Sequence, residues 1–490
     1  MASIGFDNDK YIKMQSEHIR ERIAQFGGKL YLEFGGKLTD DYHASRVLPG
    51  FQPDSKFRML QALKDDTEIV IAINASDIES RKRRNDIGVG YDEEVFRLIG
   101  IFREHGFVCE SVVITQYAGQ ASADAFRRKL ADAGIRSYLH YPIPGYPNDV
   151  ARIVSEEGYG KNEFVETSKP LVVITAPGPG SGKMATCLSQ LYHEYQHGVK
   201  AGYAKFETFP IWNLTLQHPV NIAYEAATVD LDDVNMIDPY HMEAYGVITV
   251  NYNRDVEIFP VLRAMLERIQ GKSPYQSPTD MGVNMAGFCI SDDEACCAAA
   301  RLEILRRYYA AATFERLNGG NGRMTRKMEL LMQRAQVTPY LCPAVAASLE
   351  KSQIEGSPAG AIQLADGRII TGKTSNLMGP AAAALLNAVK ALAGIDAEKN
   401  IISPAALEPI CQLKINYLGH HNPRLHSDEV LIALSISSSE SEEAALALKQ
   451  LDRLRGCDAH FTVMLSETDS RIYKKLGMLV HSEPNFKPKL

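Results

Sequence analysis

Short apolar runs and helical periods alternate along this chain. Leu171-Val-Val-Ile-Thr175 has no polar alternation, the pattern of a strand buried on both faces. Comparable runs at 68–74, 111–115, 137–141, 204–209 and 235–238 predict further strands. Between them, 92–105, 121–133 and 184–200 place apolar residues at helical spacing. Nearer the start, 9–25 reads as a helix and Leu30-Tyr-Leu-Glu-Phe34 as a strand bracketed by two copies of Phe-Gly-Gly-Lys-Leu, at 26–30 and 34–38. This alternation predicts an α/β fold over 1–330: a mostly parallel sheet with helices on both faces, Rossmann-like or P-loop-like. The region has room for two α/β lobes, about 1–160 and 161–330.

A helical block at 292–317 ends in Asn318-Gly-Gly-Asn-Gly322, where the chain cannot continue as helix, and a domain boundary is expected there. The remainder, 337–490, reads as an α+β domain. Asp366-Gly367 sits between two short strand patterns within 361–371, the preferred sequence of a tight hairpin. Helical patterns follow at 378–392, 404–418 and 442–454, then a strand near 461–465.

Charge and composition narrow the function classes. The chain carries 53 basic and 60 acidic residues, a formal net charge of −7, which gives no general attraction to nucleic acid or anionic membrane. No apolar run reaches the roughly 18 residues of a membrane span, and the first residues lack a secretory pattern, so a cytoplasmic location is expected. The eight cysteines form no CxxC pair and read as buried apolar side chains rather than a disulfide framework.

The chemistry is concentrated after the run at 171–175. Gly178, Gly180, Ser181 and Gly182 lead into Lys183 and a helix, an arrangement whose backbone N–H groups converge on an anion. Two positions depart from the full phosphate-loop pattern: Pro177 replaces the first glycine and Met184 the hydroxyl residue that would hold magnesium. Thr186, Asp232, Asp233 and Asp238 are the candidate replacements for that ligand. A dinucleotide variant has Glu207 as its ribose acid, but Lys183 occupies the place of the third glycine. The loop Tyr141-Pro-Ile-Pro-Gly-Tyr-Pro147 leaves a predicted strand where open α/β sheets bind ligands.

The same helix carries His193-Glu194-x-x-His197. Two histidines four apart share a helix face and can chelate zinc, with Glu194 as general base. A third ligand is required. Glu207 and Glu225 are the nearest carboxylates, and neither falls at a diagnostic spacing. Zinc is therefore the disfavoured reading. Arg81-Lys-Arg-Arg84, bounded by Asp77, Glu79 and Asp86, reads as a solvated charge run, and 277–287 as a polar, glycine-bearing turn or ligand loop.

Phe34-Gly-Gly-Lys37, His43-Ala-Ser-Arg-Val-Leu-Pro-Gly50, Ala176-Pro-Gly-Pro-Gly-Ser-Gly-Lys-Met-Ala-Thr186, Lys205-Phe-Glu-Thr-Phe-Pro-Ile-Trp-Asn213 and Ser277-Pro-Thr-Asp-Met-Gly282 resemble the bacterial domain of unknown function 1846 family, also termed uncharacterised protein family 0371. The resemblance runs nearly the whole chain. It implies a bacterial cytosolic protein with an α/β N-terminal part and a separate C-terminal part. Members have been labelled ATP-dependent peptidases, but the resemblance carries over no catalytic residue.

The leading expectation is a cytosolic, homo-oligomeric enzyme that binds a nucleotide or phosphorylated small molecule at Gly178, Gly180, Ser181, Gly182, Lys183 and Thr186. It would perform phosphoryl-transfer or phosphate-ester chemistry, with Lys183, Glu207 and Asp238 as catalytic groups and magnesium as a candidate cofactor. The alternatives are a zinc hydrolase or peptidase through His193 and His197, and a non-catalytic sensor of a phosphorylated metabolite. No nucleic-acid or membrane partner is expected.

Overall fold

The computed structural model describes residues 4–36, 38, 41–84 and 88–486. Lys37 of the Phe-Gly-Gly-Lys motif and Asp86 beside the basic run lie outside the described residues. One compact unit comprises residues 4–225 and 232–297, and a second comprises 226–231 and 298–486. The glycine run at 318–322 separates the helices Asp293–Asn318 and Arg323–Arg334, so its turn falls inside the second unit.

In the first unit the strands are β1 (Leu30–Phe34), β2 (Thr67–Asn74), β3 (Val108–Thr115), β4 (Arg136–Leu139), β5 (Leu171–Thr175) and β6 (Gly202–Phe206), with β7 (Asn235–Ile237), β8 (Val250–Tyr252) and β9 (Gly282–Val283) after them. Seven form one sheet in the order β4-β3-β2-β5-β1-β6-β9, with every pairing parallel. β7 and β8 form a separate antiparallel ladder.

Strand alternation sends side chains to two cores. Leu30, Leu32, Ile69, Ile71 and Ile73 pack with Ile19, Leu98, Phe102 and Phe126 on one face. Tyr31, Val70, Ala72, Val172 and Ile174 pack with Leu188, Leu191, Phe259 and Leu262 on the other. Helices therefore cover both faces, as the unbroken apolar runs require. Each fully buried Leu or Ile side chain contributes about 1.5–3 kcal/mol relative to exposure.

β2 and β5 are neighbours, yet the chain leaves them in opposite directions. From β2 it passes to β3, and from β5 it passes beyond β1 to β6. This divergence opens a crevice at the carboxyl ends of the two strands, the place where open α/β sheets hold ligands.

The second unit contains β10 (Ala359–Gln363), β11 (Ile369–Lys373), β12 (Asp458–Phe461) and β13 (Leu479–Ser482). They form a mixed sheet in the order β11-β10-β12-β13, antiparallel except for β12 with β13. Gly367 takes φ +87° in the predicted hairpin turn. Ile362, Ala459 and Phe461 pack against Leu385, Val389, Val430 and Leu434 in a core of their own. Among the described residues, no helix is long and apolar enough to cross a membrane.

Candidate functional site

The glycine loop borders a crevice of about 550 Å³ at the divergence of β2 and β5. Gly180 takes φ +78° and would direct a Cβ into open space, whereas Gly182 takes φ +83° and would set one 3.0 Å from the Thr115 side chain. Gly178 packs directly on the Tyr91 ring and hydroxyl. Left-handed backbone at two positions and close packing at a third account for glycine at all three.

The loop is braced from behind by hydroxyls. Ser181 Oγ donates to the Gly178 carbonyl at 2.8 Å and Thr115 Oγ1 to the Ser181 carbonyl at 2.8 Å. Thr186 Oγ1 donates back to the Gly182 carbonyl at 3.0 Å, and Asn74 Nδ2 reaches the Gly180 carbonyl at 3.3 Å.

Gly182 is the left-handed N-cap of the helix Lys183–Gln196. The first N–H groups of a helix have no intrahelical acceptor and carry the positive end of its dipole. Here Lys183, Met184 and Ala185 present that first turn to the crevice. Burial lowers the Lys183 pKa, partly offset by the carboxylate of Glu33. Of the expected anion-binding residues, Gly180, Ser181, Gly182 and Lys183 line the crevice. Gly178 and Thr186 act from outside its lining, as supports.

The remaining walls come from the ends of the neighbouring strands. β1 supplies Glu33, β2 Asn74, β3 Thr115 followed by Gln116, and β4 is followed by His140. Gln116 takes φ +54°, an uncommon conformation for a residue with a Cβ and one that concentrates at functional sites. His140 is 4% exposed, and burial pushes its pKa down to about 4, so the ring is neutral at pH 7. Tyr141, Ile143 and Tyr146 of the proline-rich loop also line the cavity, in agreement with the position expected for that loop.

Glu33, His140 and Gln116 were not singled out from sequence. A signal was present: each lies at or just beyond the carboxyl end of an apolar run, where parallel strands present polar groups to ligand. Glu33 accepts from Tyr203 Oη at 2.7 Å and faces Lys205 in the parallel register of β1 and β6.

Lys205 anchors a second buried group. Its Nζ lies 2.7 Å from Glu207 and 2.6 Å from Asp255 Oδ1, and bonds the Tyr252 hydroxyl. Burial pushes the Glu207 pKa up to about 8 despite Lys205, with Asp255 adding to the rise. Burial pulls Lys205 down, but Asp255 and Glu207 more than reverse this and hold it well above its ordinary value. Glu207 is therefore committed to an internal ion cluster and is not part of the crevice lining.

Asp238 lies elsewhere. It is fully buried, caps the helix Pro239–Tyr245 through the N–H groups of Tyr240 and His241, and accepts from the Thr279 hydroxyl at 2.6 Å. Asp233 is paired with Arg254 at 2.6 Å, and Asp232 sits on an exposed turn. None of these three carboxylates lines the glycine-loop crevice.

The His-Glu-x-x-His residues make the following contacts in the folded chain. Glu194 is 3% exposed, accepts from Tyr31 Oη at 2.6 Å and pairs with Lys29 at 2.5 Å. The rings of His193 and His197 lie 5.5 and 5.0 Å from that of Phe164. Among the described residues, clusters of three metal-capable side chains occur elsewhere, at His218, Asp293 and Cys297 and at Cys342, Asp458 and His481.

Comparison with known proteins yields a consistent match. The model of the N-terminal domain of unknown function DUF1846 matches residues 4–336, and that of its C-terminal domain matches residues 341–490. A UPF0371 protein of Streptococcus pyogenes serotype M5 is 56% identical over 484 residues, covering 99% of this chain and 98% of the relative. A UPF0371 protein of Streptococcus sanguinis is similar to the same extent.

Proposed function

Since the chain belongs to the DUF1846 family along nearly its whole length, and that description specifies no reaction, we propose from the site itself that the protein binds a phosphorylated small molecule in the crevice and acts on its phosphate ester. The observation that carries this reading is the meeting of Gly180, Gly182 and the half-buried Lys183 at one helix N-terminus, in a cavity large enough for a small molecule. The phosphate sits against the first turn and Lys183. The body of the ligand extends toward Glu33, which accepts hydrogen bonds from hydroxyl or amino groups. Neutral His140 supplies a group able to take or give one.

Thr186, which donates to the Gly182 carbonyl, does not line the crevice. Charge on the phosphate is met by the backbone N–H groups and Lys183.

Calorimetric titration with inorganic phosphate, sugar phosphates and mononucleotides tests this reading. A ligand is expected to bind wild type and to lose about 10–100-fold in affinity in Lys183→Met, the cost of one charge-assisted hydrogen bond. Equal affinities in the two proteins would remove the anion site. Binding without turnover of any ester would leave a sensor in place of an enzyme.

A further inference from the structure

Within the second unit, β12 and β13 present Asp458, His460 and His481 on one face, since His460 and His481 are direct register partners and Asp458 lies two residues from His460. The face is covered by Arg306 and Tyr309 and by Cys342, which is 1% exposed at the N-cap of the helix Pro343–Glu355. The ligand-capable atoms of Cys342, Asp458 and His481 lie within 4.8 Å of one another. We propose that these three side chains form a metal site for a divalent cation of the zinc class.

The hydrogen bonding selects the required tautomer. His460 Nδ1 and His481 Nδ1 are 2.7 Å apart, so one donates and the other accepts. His460 Nε2 lies 3.4 Å from the Glu483 carboxylate, which also receives the Tyr309 hydroxyl at 3.1 Å. Neither His460 Nε2 nor His481 Nε2 makes a hydrogen bond, but His460 Nε2 is the nearer of the two to a carboxylate, at 3.4 Å against 3.8 Å, and the proton is assigned there. His460 Nδ1 is then the acceptor, His481 Nδ1 the donor, and His481 Nε2 is left with a lone pair.

That nitrogen is buried without a hydrogen-bond partner, on a side chain 3% exposed and 3.8 Å from an oxygen of Asp458. Two acceptors and a cysteine facing one another call for a cation between them. The chain from metal-facing His481 through His460 to Glu483 is the outer hydrogen-bonding support that metal-bound histidines use.

Charge is consistent with this occupant. Arg306 holds Asp458 through Nε and Nη2 at 2.7 and 2.8 Å. A Cys342 thiolate, Asp458 and Glu483 are balanced by one guanidinium and one divalent cation. A thiolate, an imidazole and a carboxylate suit zinc, with one coordination position remaining.

The His218, Asp293 and Cys297 cluster behaves oppositely. His218 Nδ1 accepts the Val220 N–H at 3.2 Å, so the proton lies on Nε2, which faces Asp293 at 3.0 Å. The His218 ring therefore aims no lone pair at that cluster.

The test uses full-length, metal-stripped protein titrated with cobalt(II) and zinc. One equivalent per chain and a thiolate-to-cobalt absorption band are expected, with the band abolished in Cys342→Ser and retained in Cys297→Ser. His460→Ala is expected to weaken the metal by about 10–100-fold while keeping the band. X-ray absorption of zinc-loaded wild type requires no variant to fold, and one sulfur ligand with nitrogen and oxygen ligands is expected. Absence of a band, of a sulfur ligand or of a stoichiometric metal, or a band that depends on Cys297, would overturn the proposal.

Discussion

Burial sets the charge of individual side chains in the crevice. His140 illustrates the consequence for pH. Its folded pKa of about 4 lies below the ordinary 6.5, so on acidification the unfolded chain takes up a proton before the native state does. The stability associated with the neutral ring is present above about pH 6.5 and is lost as pH falls toward 4, by up to ~3 kcal/mol. Urea unfolding of wild type and His140→Asn at about pH 7 and pH 4.5 is expected to show a smaller pH effect in the variant. An identical loss in both would reject the buried, neutral histidine. Glu207 shows the reverse perturbation, its pKa pushed up by burial against the pull of Lys205, and it belongs to the Lys205 cluster rather than the crevice wall.

At the scale of the element, the loop between β5 and its helix combines two different uses of glycine. Gly182 requires both positive φ and clearance from Thr115, whereas Gly180 requires positive φ alone. Gly180→Ala is expected to cost about 1–2 kcal/mol from left-handed backbone, and Gly182→Ala more, because Thr115 must also move. Denaturant midpoints of the two variants check the order. Equal midpoints would mean that Thr115 yields without cost. The same helix shows how a motif can be absorbed by packing: Glu194 lies three residues before His197, but its partners are Lys29 and Tyr31 on and beside β1.

For the whole molecule, two units with separate cores allow one to be observed alone. Trp212 is the single tryptophan of the chain and lies in the unit that contains the crevice, with its indole N–H on the Asn284 carbonyl at 2.9 Å. A phosphorylated ligand at 100 times its Kd is expected to stabilise the native state by about 2.7 kcal/mol. Unfolding followed by Trp212 fluorescence should therefore shift upward with ligand in wild type and much less in Lys183→Met. A shift of the same size in both would place the binding elsewhere.

The architecture was largely legible before any coordinates. Unbroken apolar runs at 68–74 and 171–175 have nowhere to go except a sheet covered on both faces, and the glycines before Lys183 are a local requirement of a strand-to-helix turn. Short elements escaped: β9 is two residues long between polar turns, and β13 carries no long apolar run. The run at 235–238 is extended as its pattern predicts, over 235–237, but periodicity does not name a partner, and β7 pairs with β8 rather than joining the main sheet. Sequence by itself thus determined the layers, the parallel sheet and the glycine-rich strand-to-helix turn, since these follow from the spacing of neighbouring residues. Only the tertiary structure decided that Glu33 and His140 meet that loop, that Asp238 and Glu194 are spent on internal bonds, and that Cys342, Asp458 and His481 converge. Those outcomes depend on side chains far apart in the chain being brought within a few ångströms, which no local period encodes.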